Sequence, residues 1–177
     1  MMSNKKGDIW ISAVLYFGLG IVVLSLILAA GMPVINKLRD KNIVIQAKEV
    51  LFKLDNNIRE VARGGPGTQR LITIDIKKGD FKVDQGENKI IWEYEGKAML
   101  SELDSVIEEG TLRTETKEGN EKGEYVVKMW VPYTSSNNEK LLQLNQEGIQ
   151  TLQGTSQLII KNAGATDNII QVEIKEK

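Results

Sequence analysis

The chain opens on a long apolar run and only later acquires a regular period. From Ile9 to Ile35 it reads IWISAVLYFGLGIVVLSLILAAGMPVI, without a charge and with Ser12 and Ser25 as its small polar residues. As a helix, about 27 residues extend roughly 40 Å, more than the ~30 Å hydrocarbon core of a bilayer. The run therefore predicts a membrane-spanning helix, because a surface so uniformly apolar has to be covered by lipid or by another hydrophobic helix. Trp10, Leu15, Phe17, Gly18, Gly20, Leu24 and Leu28 are its candidate membrane and assembly face, the glycines allowing a neighbouring helix to come close. Gly31 and Pro33 predict a kink, since proline inside a helix removes one backbone hydrogen bond.

Beyond Val34 the helical signal continues with a different character. Ile43, Ala47, Leu51, Leu54, Ile58 and Val61 recur at steps of three and four and form one stripe. Ala47, Leu51, Leu54, Ile58 and Val61 are the candidates for packing this helix against a head domain. Glu49 with Lys53 and Asp55 with Arg59 are acid-before-base pairs at i,i+4, expected on the solvated side. Gly64, Gly65, Pro66 and Gly67 end the helix. A single helix over 8–63 would be on the order of 80 Å long, half lipid-like and half amphipathic.

After Gly67 the period becomes two. Ile72, Ile74 and Ile76 alternate with Leu71, Thr73 and Asp75, which predicts a strand with one apolar face. A turn is expected over 77–80, a short strand over 81–83, a turn over 84–88, and a strong strand around Ile90, Ile91, Trp92 and Tyr94. The stretch 99–109 is ambiguous. Thr111–Thr116 and Glu124–Tyr133 suit a hairpin, Leu141–Leu144 and Ile149–Leu152 suit strands, and Gln157–Lys161 pairs with Ile169–Ile174 across the loop 162–168. The fold class expected is α+β: a long N-terminal helix followed by an antiparallel β-sheet or sandwich. Its divisions are a leader over 1–7, the helix over 8–63, spanning the membrane over about 9–35, and a β-rich extracellular head over 68–177.

Composition narrows the chemistry. The 177 residues contain no cysteine, so disulfides, thiolate nucleophiles and cysteine zinc sites are excluded. Histidine is absent too, which removes the commonest general base and metal ligand. A net charge of −1 without a basic stripe leaves no footprint for nucleic acid. No phosphate loop, nucleophile elbow or dinucleotide fingerprint occurs. Asp80, Asp84, Glu87 and Asn88 have no EF-hand spacing and suit a solvated turn. The expectation is a protein without catalytic residue, cofactor or metal.

Leader, apolar helix, amphipathic helix and β-rich head, in that order, resemble the type IV pilin-like superfamily, its archaeal members in particular. There a short leader ending in basic residues and glycine, here Lys5, Lys6 and Gly7, directly precedes the hydrophobic segment. The resemblance implies cleavage between Gly7 and Asp8 by a membrane-embedded prepilin peptidase acting on the cytoplasmic side, leaving the apolar helix on the mature chain. It further implies a structural subunit that starts in the membrane with its C-terminal domain outside, and then joins a surface filament with copies of itself or other pilin subunits. Ser12 stands at the fifth mature position, where bacterial pilins usually carry glutamate and archaeal ones often do not.

Two other readings fit the same residues. A single-pass anchor with an extracytoplasmic β domain has the same basic flank, and basic residues on both sides of the run leave orientation open. Secretion with cleavage after Gly31 would use the small residues Ala29 and Gly31, but the apolar run exceeds the usual length of a signal h-region.

Overall fold

The computed structural model describes residues 5–97, 99–134, 141–149 and 151–177, with side chains described from Trp10 onward. One helix, α1 (Lys5–Arg63), precedes eight strands: β1 (Gln69–Asp84), β2 (Lys89–Gly96), β3 (Val106–Glu109), β4 (Leu112–Glu118), β5 (Tyr125–Pro132), β6 (Gln143–Glu147), β7 (Leu152–Thr166) and β8 (Ile169–Glu176). The fold is α+β, and the strands form a single curled sheet, the first of the two arrangements expected. The chain divides between Arg39 and Asp40 into two compact units. The second unit begins with the amphipathic part of α1 rather than at the first strand.

In that second unit the sheet runs in the order β3-β4-β5-β2-β1-β7-β8-β6. Only β6 and β8 pair in parallel; the other neighbours are antiparallel. One face is apolar. Ile72, Ile74, Ile76, Phe81 and Val83 of β1 join Ile90, Met129, Val131, Leu144, Leu158, Ile160, Val172 and Ile174 in the core. The opposite face carries Thr73, Asp75, Lys82 and Glu93, and Leu71 is exposed there. Alternation along β1 thus becomes an inside and an outside, as the pleat requires. The amphipathic part of α1 covers the apolar face with Ile43, Val44, Ala47, Leu51, Leu54, Ile58, Val61 and Ala62.

The strands differ from the sequence expectation where the backbone bends. The turn expected over 77–80 is a bulge inside β1: Ile76 pairs with Gly154 and Phe81 with Leu152. Gly79 sits there at φ +84°, where an added Cβ would lie 2.6 Å from the Glu93 carbonyl oxygen and 2.7 Å from Trp92, so only glycine fits. The Trp92 ring nitrogen donates to the Lys78 carbonyl at 3.0 Å and fixes the corner. The loop expected over 162–168 is mostly strand: β7 continues past a bulge to Thr166, and only Asp167 and Asn168, both at positive φ, make the turn. Of the strand expected over Ile149–Leu152, Ile149 is buried outside any strand, Leu152 begins β7, and Gln150 lies outside the described residues. From the ambiguous stretch comes the short strand β3, all of it exposed.

Two buried asparagines replace what water would have supplied. The Asn162 amide donates to the carbonyls of Val61 and Ala62 at 3.2 and 3.0 Å, taking up acceptors that the end of α1 leaves without helical partners. Its backbone donates to Thr68 and accepts from Gly67, tying the helix-to-sheet connection to β7. Asn88, in the turn between β1 and β2, donates to the Leu142 carbonyl at 2.6 Å and accepts from the Leu144 amide at 2.8 Å. It also donates to the Tyr133 carbonyl at 3.2 Å, so one side chain joins the end of β5 to the start of β6.

Candidate functional site

The first unit contains α1 as far as Arg39, with the candidate membrane and assembly face. Its most apolar part has no buried residue, and α1 is long and apolar enough to cross a membrane. Trp10 is 75% exposed, Phe17 73% and Leu15 67%, while Leu24 and Leu28 are more than half exposed. An added Cβ at Gly18, Gly20 or Gly31 would meet nothing within 4 Å, so these positions present open backbone surface. The Ser25 hydroxyl donates to the Ile21 carbonyl at 2.8 Å, which satisfies it inside the helix rather than leaving it toward an apolar neighbour. Helix assignment continues through Gly31 and Pro33. Lys5, Lys6, Gly7 and Asp8 are helical in backbone, and their side chains lie outside the described residues.

The head-packing stripe lies in the second unit. Leu51, Leu54, Ile58 and Val61 are completely buried and Ala47 nearly so, all within the head's core. Burying a leucine or isoleucine side chain contributes about 1.5–3 kcal/mol, so this stripe is the main bond between helix and sheet.

The same face carries two carboxylates. Asp40 accepts the Tyr94 hydroxyl at 2.8 Å and the Lys97 backbone N–H at 2.7 Å. Asp55 is 4% exposed; it accepts from Arg59 at 2.8 Å and from the Thr111 hydroxyl at 2.9 Å. Asp55 is therefore a core residue and not part of a solvated pair. Lys53, its expected counterpart in the other pair, donates to the Thr73 carbonyl at 2.9 Å. The signal was present in the spacing: Asp40, Val44, Ala47, Leu51, Asp55 and Ile58 follow the same three-and-four steps, so both acids fall on the apolar stripe.

Beside Asp55, Tyr133 is fully buried under the Arg59 guanidinium, 5.5 Å from its ring centre. Among the described residues, none is placed to form a hydrogen bond of sound geometry with its hydroxyl. Burial first, and then the Asp55 charge, push its pKa well above the ordinary tyrosine value. On the outer sheet face Glu93 accepts from Lys82 and Lys128, each at 3.1 Å. Burial alone would raise the Glu93 pKa, but the two lysines outweigh it and the net shift is downward. The pKa of neighbouring Lys89, lying over Trp130, is lowered by burial and by Lys128.

Among the described residues, no three His, Cys, Asp or Glu side chains come together as a metal-binding group. The charged loop between β4 and β5 lines a pocket of about 300 Å3 with its own residues, Glu118–Tyr125, and is closed by a Gly119 to Glu124 backbone bond of 2.8 Å.

The class defined by this architecture is an α+β protein whose apolar N-terminal helix suits membrane anchoring and whose β head is built on the helix's amphipathic continuation. That order of parts is compatible with a pilin-like shape. Compared with protein-family models, curated proteins and solved structures, the chain matches none.

Proposed function

We propose that this chain is a structural subunit of a type IV pilus-like surface filament, held together by packing of its apolar N-terminal helix. One observation carries the reading: the large apolar side chains from Trp10 to Ile35 are exposed, whereas the head has an apolar core of its own. At about 25 cal/mol per Å2, the apolar surface of such a segment corresponds to tens of kcal/mol of transfer free energy. Lipid covers it before assembly, and the same helix from other copies covers it afterwards. Neither step calls for a catalytic residue or cofactor.

In this reading prepilin peptidase cuts after Gly7, and Asp8 becomes the first mature residue. The test is to shear filaments from cells producing the native chain and a Gly7→Leu variant. The native chain is expected in the sheared high-molecular-weight fraction, and the variant in the membrane at unprocessed mass. Native protein confined to the membrane as single subunits would contradict the proposal and leave the simple anchor.

A further inference from the structure

Among the described residues of the second unit, seven large apolar side chains are exposed, and four of them, Met99, Leu103, Val106 and Ile107, lie within nine residues. These residues border or form β3, the last strand at one end of the sheet. β3 is four residues long and exposed at every position, with Val106 and Ile107 each 47% exposed. Consecutive exposed apolar residues on an open sheet edge form a surface suited to a partner. The charge on this edge has one sign. Residues 99–110 read MLSELDSVIEEG, with Glu102, Asp104, Glu108 and Glu109 and no basic residue. Glu108 pairs with Arg113 and Glu109 with Lys48, whereas Glu102 and Asp104 have no ion pair among the described residues.

The complementary surface is on the chain itself. Val34, Ile35, Lys37, Leu38, Arg39 and Lys41 of α1 are all exposed. Asp40, the acid among them, is committed to Tyr94 and Lys97, so what remains outward is apolar and basic. We propose that the edge Met99–Glu109 docks the Val34–Lys41 stretch of a second copy's helix. The inference rests on the filament reading and supplies the contact made by its heads. Because the two surfaces are different patches of one chain, each copy offers one and accepts the other. Such a contact is heterologous, and it propagates into an open array where its rotation does not close. Helix packing alone fixes no relation between a head and the neighbouring helix; this contact does.

The chain has no cysteine, so introduced pairs report cleanly. A Leu38→Cys, Leu103→Cys double variant of the full-length protein, assembled in cells and mildly oxidised, is expected to give a ladder of disulfide-linked oligomers. Each single variant should stay monomeric, because its one cysteine faces a leucine of the neighbouring copy; disulfide-linked dimers of a single variant would contradict the heterologous contact. Independently, Glu102→Lys with Asp104→Lys should reduce recovered filament about tenfold, and adding Lys37→Glu with Arg39→Glu should restore it to within about twofold, since the swap re-creates opposite charges. Filaments that form normally but give no ladder overturn this contact and leave helix packing standing. Failure of the native chain to assemble overturns both.

Discussion

Leu24 and Leu54 are the same residue in the same helix, and their surroundings are opposite. Leu24 is 57% exposed in a stretch of exposed apolar side chains, and Leu54 is completely buried beneath a curled sheet. What separates them in the sequence is period rather than hydrophobicity. Apolar residues on every side of a helix need a partner all round, which one domain cannot give. Apolar residues on one stripe need a single covering face. The first part of α1 is thus built for an environment outside its own chain, and the second for its own head.

The largest expected effect follows directly. Leu54→Ala should destabilise the head by about 2–5 kcal/mol through lost burial and a residual cavity. Leu24→Ala should leave the head's denaturant midpoint unchanged. Equal midpoints for the two variants would break the contrast.

Next in size is Leu24→Arg. A cation at the centre of a spanning helix opposes insertion by about 2.5–3.5 kcal/mol, so membrane retention and assembly should fall while the head melts as before. Fractionation together with thermal unfolding reads both. A third change probes the helix's far end. Asn162→Ala leaves the Val61 and Ala62 carbonyls without their side-chain donor and should cost about 1–3 kcal/mol, measured by urea unfolding.

The smaller effects depend on pH. Tyr133 holds its proton more tightly in the folded head than in the unfolded chain, where tyrosine ionises near 10. Above about pH 10 the folded state therefore binds more protons, and stability should fall as pH rises. Tyr133→Phe should flatten that fall. Glu93 has the opposite sense: its lowered pKa contributes stability above the ordinary carboxylate value, and this is lost as pH falls through the folded value. Because the group is still about a third exposed and its charge is screened by solvent, Glu93→Gln should change neutral-pH stability by no more than about 1 kcal/mol, and the difference should vanish in acid.

Much of this was legible from the residues alone. The uncharged run, the stripe through Ala47, Leu51, Leu54, Ile58 and Val61, and the alternation of Ile72, Ile74 and Ile76 each follow from side-chain period. The corner at Gly79 was not legible as such, because a glycine between two lysines suits a turn as well as a bulge; Trp92 and Glu93 decide between them, and they are distant in sequence. For Asp55 and Arg59 the i,i+4 spacing suggests a surface pair, while the three-and-four steps through Leu51 and Ile58 put Asp55 on the apolar stripe. The burial of Asp55 depends on Thr111 and Arg59 as hydrogen-bond donors, and Thr111 becomes its neighbour only through the sheet. The roles of Asn88 and Asn162 were hidden for the same reason: both sit in or beside apparent turns, and the carbonyls to which their side chains donate lie 45 or more residues away, as the bonds to Tyr133 and Val61 show.

The most direct test is the intact mass and N-terminal residue of the protein recovered from purified surface filaments. A chain beginning at Asp8, with 9–35 still attached, is the expected result. A chain beginning at Met32, or filaments that lack this protein while it remains in the membrane uncut, would contradict it.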